Sequence, residues 1–306
     1  MLPLYFAPLQ GYTDDVYRRT HHQLVGGATA YYTPFLRWEH GGVRSKDERD
    51  IRPEHNIGVP IVPQVIASSV DEFRALLAVV LERGYREVDL NMGCPFPLQA
   101  RHGRGSGLLA RHTQVAEIFD EMRQHPDVRF SVKLRLGWDN DQEAIRLLPL
   151  LNAAPLHRLT LHPRLGTQAY KGEANREAFA LFSANCAHPI VYNGDLHTPD
   201  EVEQLLEALP QLAGVMIGRG WLARPSLGRE LIDGRTWSAD ERLQLIVQLH
   251  ERIYAHHASI IPSEAQLLQK MRPFWDYLED EIGRKPFKKI HKAGSLRNYL
   301  AAVEAL

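Results

Sequence analysis

Eight short apolar runs recur through most of this chain, each followed by a segment of helical periodicity, and this alternation constrains the fold more than any other feature. The runs lie at residues 4–7, 28–32, 60–66, 87–91, 129–134, 158–162, 189–193 and 214–217. Strands buried on both faces read as continuous apolar runs, and strands that alternate with helices form a parallel sheet. The helices announce themselves locally. Ser69-Val70-Asp71-Glu72 reads as a capping box ahead of Phe73, Leu76, Leu77 and Val80, with Gly84 just past the end. Thr198-Pro199-Asp200-Glu201 opens a second helix with Val202, Leu205, Leu206 and Leu209 on one face, and a third carries Val115, Ile118, Phe119 and Met122. Eight such units predict a (β/α)8 TIM barrel rather than a doubly wound sheet, and no Gly-x-Gly-x-x-Gly follows the first run.

After about residue 236 the strand pattern stops. Helical segments at 239–256, 263–280 and 282–303 predict a small helical domain over 236–306 behind a barrel over 1–235. The last segment holds Arg284, Lys285, Lys288, Lys289, Lys292, Arg297 and His291 without one acid, whereas the whole chain has a formal net charge of −1. A solvated helix face accounts for such a run, and so does a surface for phosphate backbone. No global basic field marks a polyanion partner, so any nucleic-acid surface is local.

The two cysteines, Cys94 and Cys186, form no CxxC, which argues for a reducing compartment. The 15 histidines include no His-Glu-x-x-His, so no metal site is predicted. The N-terminus lacks a basic leader and no run of about 18 apolar residues occurs, so a cytoplasmic protein with no membrane contact is expected. Nothing in the sequence calls for an obligate protein partner.

Barrel chemistry sits at the carboxyl ends of the strands. Here those ends carry Pro8-Leu9-Gln10, Gln64, Asn91 and Cys94, Lys133 and Arg135, His162 and Arg164, Asn193-Gly194-Asp195, and Gly218-Arg219-Gly220. Cys94 follows an apolar strand in Asn91-Met92-Gly93-Cys94-Pro95-Phe96-Pro97, where Gly93 permits a sharp turn and two prolines forbid regular structure. Each residue has a plain structural alternative: Cys94 as an inert core thiol, Gln64 satisfying backbone, His162 packed, Lys133 reaching to solvent from the rim. The glycine turns after the seventh and eighth runs lie where such barrels hold phosphate, so a phosphorylated cofactor is expected, with Lys133, His162 and Gln64 facing an electron-rich ring. His102-Gly103-Arg104-Gly105-Ser106-Gly107 reads as a mobile lid over the cysteine.

Taken in order, Ala7-Pro8, Gln64, Asn91 to Pro95, Lys133-Leu134-Arg135-Leu136-Gly137-Trp138-Asp139, His162-Pro163-Arg164, Tyr170-Lys171-Gly172-Glu173-Ala174, Asn193-Gly194-Asp195 and Met216 to Gly220 form a set that resembles the tRNA-dihydrouridine synthases. The resemblance implies FMN as cofactor, NADPH as reductant, tRNA as partner bound by a helical C-terminal domain, and a cysteine that donates a proton. On that reading Cys94 is catalytic. Pro8, Leu9, Gln10, Gln64, Lys133, His162, Asn193, Gly194, Asp195, Gly218 and Arg219 bind the cofactor, and Asn91 with Arg101, Arg104, Lys288, Lys289 and Lys292 binds the RNA. The chain departs from the family pattern at Leu98-Gln99, where a lysine is usual after the cysteine, and at Pro163, where a glycine is usual. A flavin barrel acting on a free pyrimidine would have no use for the basic tail. A Schiff-base aldolase built on Lys133 would leave Cys94 idle, and a silent RNA-binding protein is suggested only by the departures after Cys94.

Overall fold

The computed structural model describes residues 2–306 and sets the apolar runs side by side as a closed parallel barrel. Its strands are β1 (Leu4–Phe6), β2 (Ala30–Tyr32), β3 (Leu36–Glu39), β4 (Gly42–Val43), β5 (Ile61–Val62), β6 (Gln64–Ile66), β7 (Glu87–Met92), β8 (Arg129–Gly137), β9 (Leu156–Leu165), β10 (Ile190–Asn193) and β11 (Gly214–Ile217). β1 pairs with both β11 and β2, so the sheet returns on itself. The run at 60–66 is two strands divided at Pro63, which has no N–H to give a ladder: β5 pairs with β2, and β6 with β7. The Pro63 carbonyl still accepts from the Asp89 N–H at 3.0 Å, so the chain remains in the sheet across the break. With β5 and β6 counted as one, β2 and β3 likewise because they pair with β5 and β6 in turn, and the antiparallel β4 left outside, eight barrel positions result, as the alternation predicts.

The period of two along each strand separates two apolar layers. Leu4, Phe6, Tyr31, Val88, Leu90, Val132, Leu134, Leu159 and Leu161 face the helices, and Phe6 stacks on Trp221 with ring centroids 4.8 Å apart. Tyr5, Ala7, Ala30, Tyr32, Val62, Val191 and Met216 form a separate cluster with the opposite alternation, inside the barrel. Arg158 shares that interior: its Nε donates to Tyr32 Oη at 2.8 Å and its Nη1 to Tyr5 Oη at 2.9 Å.

Residues 40–58, a polar and charged stretch in the sequence, are in part interior. They contain a helix at Ser45–Arg49, and Asp47, Asp50, Ile51 and Asn56 are buried. The cause is Arg18, fully buried on the helix Asp15–Leu24. A buried guanidinium needs partners. Its Nη1 donates to the Thr13 carbonyl at 2.6 Å, its Nη2 to Asn56 Oδ1 at 3.1 Å, and Asp50 lies 3.7 Å away.

The helix Pro199–Ala208 begins with a complete capping box, in which Thr198 accepts from the Glu201 N–H and Glu201 returns the bond. The helix Val70–Glu82 keeps only half of one. Ser69 caps it, but Glu72 instead accepts from Ser68 and Arg104.

Past Ser238 the chain is helical: Ala239–Ile260, Glu264–Met271, Arg284–His291 and Leu296–Val303 are its longer helices. Pro273 converts the segment predicted at 263–280 into a 3-10 turn at Arg272–Trp275. Tyr299 joins these helices, taking a hydrogen bond from Trp275 Nε1 at 2.8 Å and donating to His250 Nε2 at 2.7 Å. Burial pulls His250 down to about 4, so it is a neutral acceptor there. The tail docks on the first barrel loop through Lys270 and Asp14 at 2.6 Å and through Tyr12 Oη to Asp276 Oδ2 at 2.9 Å. Among the described residues no helix is long and apolar enough to cross a membrane, and no group of three or more His, Cys, Asp or Glu is placed to hold a metal ion. Both cysteines are free.

Candidate active site

Because the barrel strands are parallel, their carboxyl ends open on one face, where a cleft offers about 880 Å³ of space continuous with solvent. It is lined by Pro8, Leu9 and Gln10 after β1, Gln64 on β6, Asn91 on β7 and Cys94 after it, Lys133 on β8, His162 on β9, Asn193 on β10 with Gly194 and Asp195 after it, and Gly218 and Arg219 after β11. Pro34, Phe35, Arg135 and Tyr170 complete the wall.

A chain of side chains runs from the barrel interior to the cysteine. Buried Asp89 accepts from Ser131 Oγ at 2.6 Å and from Gln64 Nε2 at 2.7 Å. With its nitrogen so committed, Gln64 turns its oxygen to Asn91 Nδ2 at 2.8 Å. Asn91 Oδ1 then accepts from the Gly93 and Cys94 N–H groups at 3.0 and 2.8 Å. Asn91, expected to contact the substrate, spends its amide largely on shaping the loop, which leaves one Nδ2 hydrogen without an acceptor among the described residues.

Behind the cysteine, Ser106 donates to the Cys94 carbonyl from N–H and Oγ at 3.2 and 2.8 Å. Within residues 102–107 only His102 is exposed, and 103–107 are packed scaffold rather than a lid. A Cβ at Gly105 would meet Cys94 Cβ at 2.8 Å, and one at Gly107 would meet the Ala100 carbonyl at 2.2 Å. These glycines serve close approach. Arg104 is likewise corrected: it is buried, its Nε donates to Glu72 Oε2 at 3.0 Å and its Nη2 to the Trp38 carbonyl at 2.9 Å, so it is not presented to a phosphate. Arg101 is exposed, as are Lys288, Lys289 and Lys292, and none of these four lines the cleft.

Burial pushes the Cys94 thiol up from its ordinary value near 9.0, against the Phe96 N–H and the charges of Arg135, Arg37 and Lys133. The thiol thus stays protonated at neutral pH. Lys133 is pulled down to about 8 by burial and by Arg135, with Asp89 and Cys94 opposing. No acceptor among the described residues takes a hydrogen bond from its ammonium. His162 is held well below its usual range by burial and by Arg135, Lys133 and Arg164. A guanidinium only donates, so the 3.2 Å contact from Arg164 Nη1 makes Nε2 the acceptor and leaves the proton on Nδ1, facing Asn193 Oδ1 at 3.3 Å.

Asp195 gathers the cations. It takes both Arg164 nitrogens, Arg219 Nη2 at 3.1 Å and the Ala174 N–H at 3.1 Å. Burial opposes its charge, but Arg164, Ala174 and Arg219 together hold it below the usual carboxylate range. Asp195 thus orients Arg219 at the cleft wall and holds the buried Arg164 behind it. Tyr170 is flanked by two guanidiniums, Arg219 at 4.5 Å and Arg135 at 5.5 Å from its ring centre. The period of two on β8 that puts Lys133 at the mouth puts Arg135 there too, a signal the sequence carried without a role being drawn from it. The N–H groups of Gly194, Asp195, Gly218 and Arg219 find no acceptor among the described residues. Four free donors beside a guanidinium suit an anion.

A family model for dihydrouridine synthase (Dus) matches residues 5–305. The chain belongs to this family. It is 27% identical over 262 residues to tRNA-dihydrouridine synthase B of Pseudomonas syringae pv. tomato, covering 83% of this chain and 76% of that protein. With the B enzyme of Proteus vulgaris identity is 29% over 228 residues, covering 74% and 69%. Among solved structures, histamine dehydrogenase from Rhizobium sp. 4-9 superposes with a TM-score of 0.58 at 12% identity, over 81% of this chain and 48% of that one. Morphinone reductase gives 0.55 at 13%, over 77% and 87%. At such identities these two speak for the barrel fold alone.

Proposed function

We propose that this member of the dihydrouridine synthase family reduces the C5=C6 bond of uridine in tRNA, with FMN as its flavin and NADPH as the reductant. The observation that carries the reading is the Cys94 thiol, on a loop fixed through Asn91, on the wall of the same cleft that is lined by Arg219 and by four residues whose N–H groups are unpaired among the described residues. The family's named activity and the basic tail agree with it.

Bound FMN would supply the hydride that goes to C6. This chain's own task is the other half: Cys94 Sγ–H gives its proton to C5 on the opposite face and is reprotonated from solvent. The unpaired N–H groups at Gly194, Asp195, Gly218 and Arg219 suit the phosphate. Lys133 and the second Nε2 hydrogen of Gln64 suit the polar edge of the ring, His162 lines the cleft beside them with both ring nitrogens engaged, and Pro8, Leu9 and Gln10 form a wall beside it. Asn193 donates to the Met216 carbonyl at 2.7 Å, so its part is to orient His162. A stacked uridine cannot reach a barrel mouth, so the base must be flipped out of the RNA. We assign residues 1–235 to catalysis and 236–306 to RNA binding, with Arg101 as a further phosphate contact near the cleft.

Purified protein should be yellow, bleach with NADPH, and form dihydrouridine in an unmodified tRNA transcript. Colourless protein that gains no absorbance change with added FMN would exclude the flavin reading and favour a lysine-centred aldolase. Equally efficient turnover of a free pyrimidine would exclude RNA as the proper substrate.

Lys133 gives this reading a pH signature. Its ammonium is charged below about 8, and only that form attracts an anionic cofactor. FMN affinity should therefore hold at lower pH and decline above that value, by about tenfold or more once the charge-assisted bond is gone. Quenching of FMN fluorescence by apoprotein across this range measures it, and Lys133→Met should bind weakly with no such decline. The same decline in Lys133→Met would assign it to another group.

A further inference from the structure

The loop that holds the acid also displays two apolar side chains to water. Phe96 is 58% exposed and Leu98 51%, and of the large apolar side chains left exposed among the described residues, which also include Ile57, Tyr170, Leu181, Ile232 and Ile260, these two alone share a loop with Cys94. Phe96 stands between Pro95 and Pro97, whose rings fix the backbone on either side, and its N–H faces the Cys94 sulfur. The phenyl ring is thus carried by stiff backbone rather than by packing. Pro97 starts the short helix Pro97–Arg101, which brings the exposed Leu98 and Arg101 to the same rim. No Asp or Glu occurs between Asp89 and Glu117, while the exposed Arg101 and Arg111 do, in addition to Arg104, which Glu72 neutralises. An exposed ring in an acid-free, basic stretch suits a polyanion with flat apolar faces better than a lipid or an acidic protein.

We propose that Phe96 is a stacking platform for an RNA base adjacent to the uridine that enters the cleft, with Leu98 extending the apolar surface and Arg101 meeting the backbone phosphate. The inference rests on the RNA-reducing function proposed above. To place C5 against Cys94, the RNA strand must pass over the rim from which Phe96 projects. Flipping one base leaves its neighbour with an uncovered face, and an aromatic side chain covers it whatever the base.

The test compares flavin-loaded wild-type protein with Phe96→Ala, Phe96→Tyr and Phe96→Trp on an unmodified tRNA transcript. Phe96→Ala should raise KM for RNA on the order of 10-fold to 100-fold, with flavin content and the rate of flavin reduction by NADPH unchanged. Phe96→Tyr and Phe96→Trp should restore KM, a rescue that a merely structural role for the ring would not give. The added indole fluorescence of Phe96→Trp, taken as a difference from wild type, should be quenched by RNA. The proposal is overturned if Phe96→Ala keeps KM within about twofold, if the aromatic variants fail to restore it, or if the indole signal ignores saturating RNA. A change of molecular mass in solution with KM unaltered would also overturn it, by making the rim a protein contact. If wild-type protein forms no dihydrouridine, the parent function fails, and the indole signal still decides whether RNA covers Phe96.

Discussion

Cys94→Ala is expected to leave reduction of the flavin by NADPH near its normal rate while reduction of uridine in RNA falls by about 100-fold to 10,000-fold, the usual worth of a placed general acid. The loop survives the change because Asn91 holds backbone N–H groups at positions 93 and 94 and Ser106 holds the Cys94 carbonyl. None of these contacts uses the sulfur. Alanine keeps the Cβ against which Gly105 packs. The lost group is the proton alone. In wild type, burial raises the thiol above its ordinary 9.0, so the acid form dominates at neutral pH, and with FMN saturating, RNA reduction should decline as pH rises through that raised value. Cys94→Ala should lack this alkaline limb. His162 is a poor substitute, since its Nε2 accepts from Arg164 and its Nδ1 proton faces Asn193. Normal RNA reduction by Cys94→Ala would move the acid to water or another residue. Loss of flavin together with activity would make Cys94 a packing residue of the cleft.

The parts of this site that follow from local periodicity were legible in the sequence. Polar residues two apart on one strand, such as Asp89 and Asn91 or Ser131, Lys133 and Arg135, can only face the barrel interior when the alternate residues are Leu and Val that meet the helices. The turns after β10 and β11 were legible because glycine there permits close approach, and Gly220 shows it: a Cβ would lie 1.8 Å from the Leu196 carbonyl. What escaped depends on partners distant in the chain. Arg104 looks like a free cation until Glu72, 32 residues earlier, takes it. The buried stretch around Asp50 answers to Arg18 on another helix. The hairpin of β3 and β4 was missed because Pro34 breaks the run ahead of it and Arg37, Trp38 and Glu39 give no apolar alternation. Likewise, the glycines at 105 and 107 read as mobile, since nothing near them in sequence shows Cys94 and Ala100 pressed against them.

Replacing Lys288, Lys289 and Lys292 together by Ala is expected to weaken tRNA binding by about 100-fold near 0.1 M salt while flavin content and NADPH oxidation stay unchanged. The three side chains are exposed and carry no ion pair among the described residues. Their one histidine neighbour, His291, instead contacts Asp276 Oδ1 at 3.0 Å. Each phosphate a lysine neutralises releases counterions, so each contributes roughly 0.7 to 0.9 to the slope of log affinity against log salt. Losing three should flatten that slope by about 2 to 2.7, which from a common value near 1 M salt gives the stated loss a decade lower. The helix itself should persist, because Ile290 and not the lysines is its buried contact. Affinity measured across a salt series separates the two readings of this tail. A flattened slope places phosphates on it, whereas an unchanged slope with intact folding makes it a solvated face and shifts RNA recognition to the rim around Phe96 and Arg101. In that second case the acid-free stretch after Cys94 would have to supply the salt dependence, and Arg101→Ala alone should then lower the slope by nearly one.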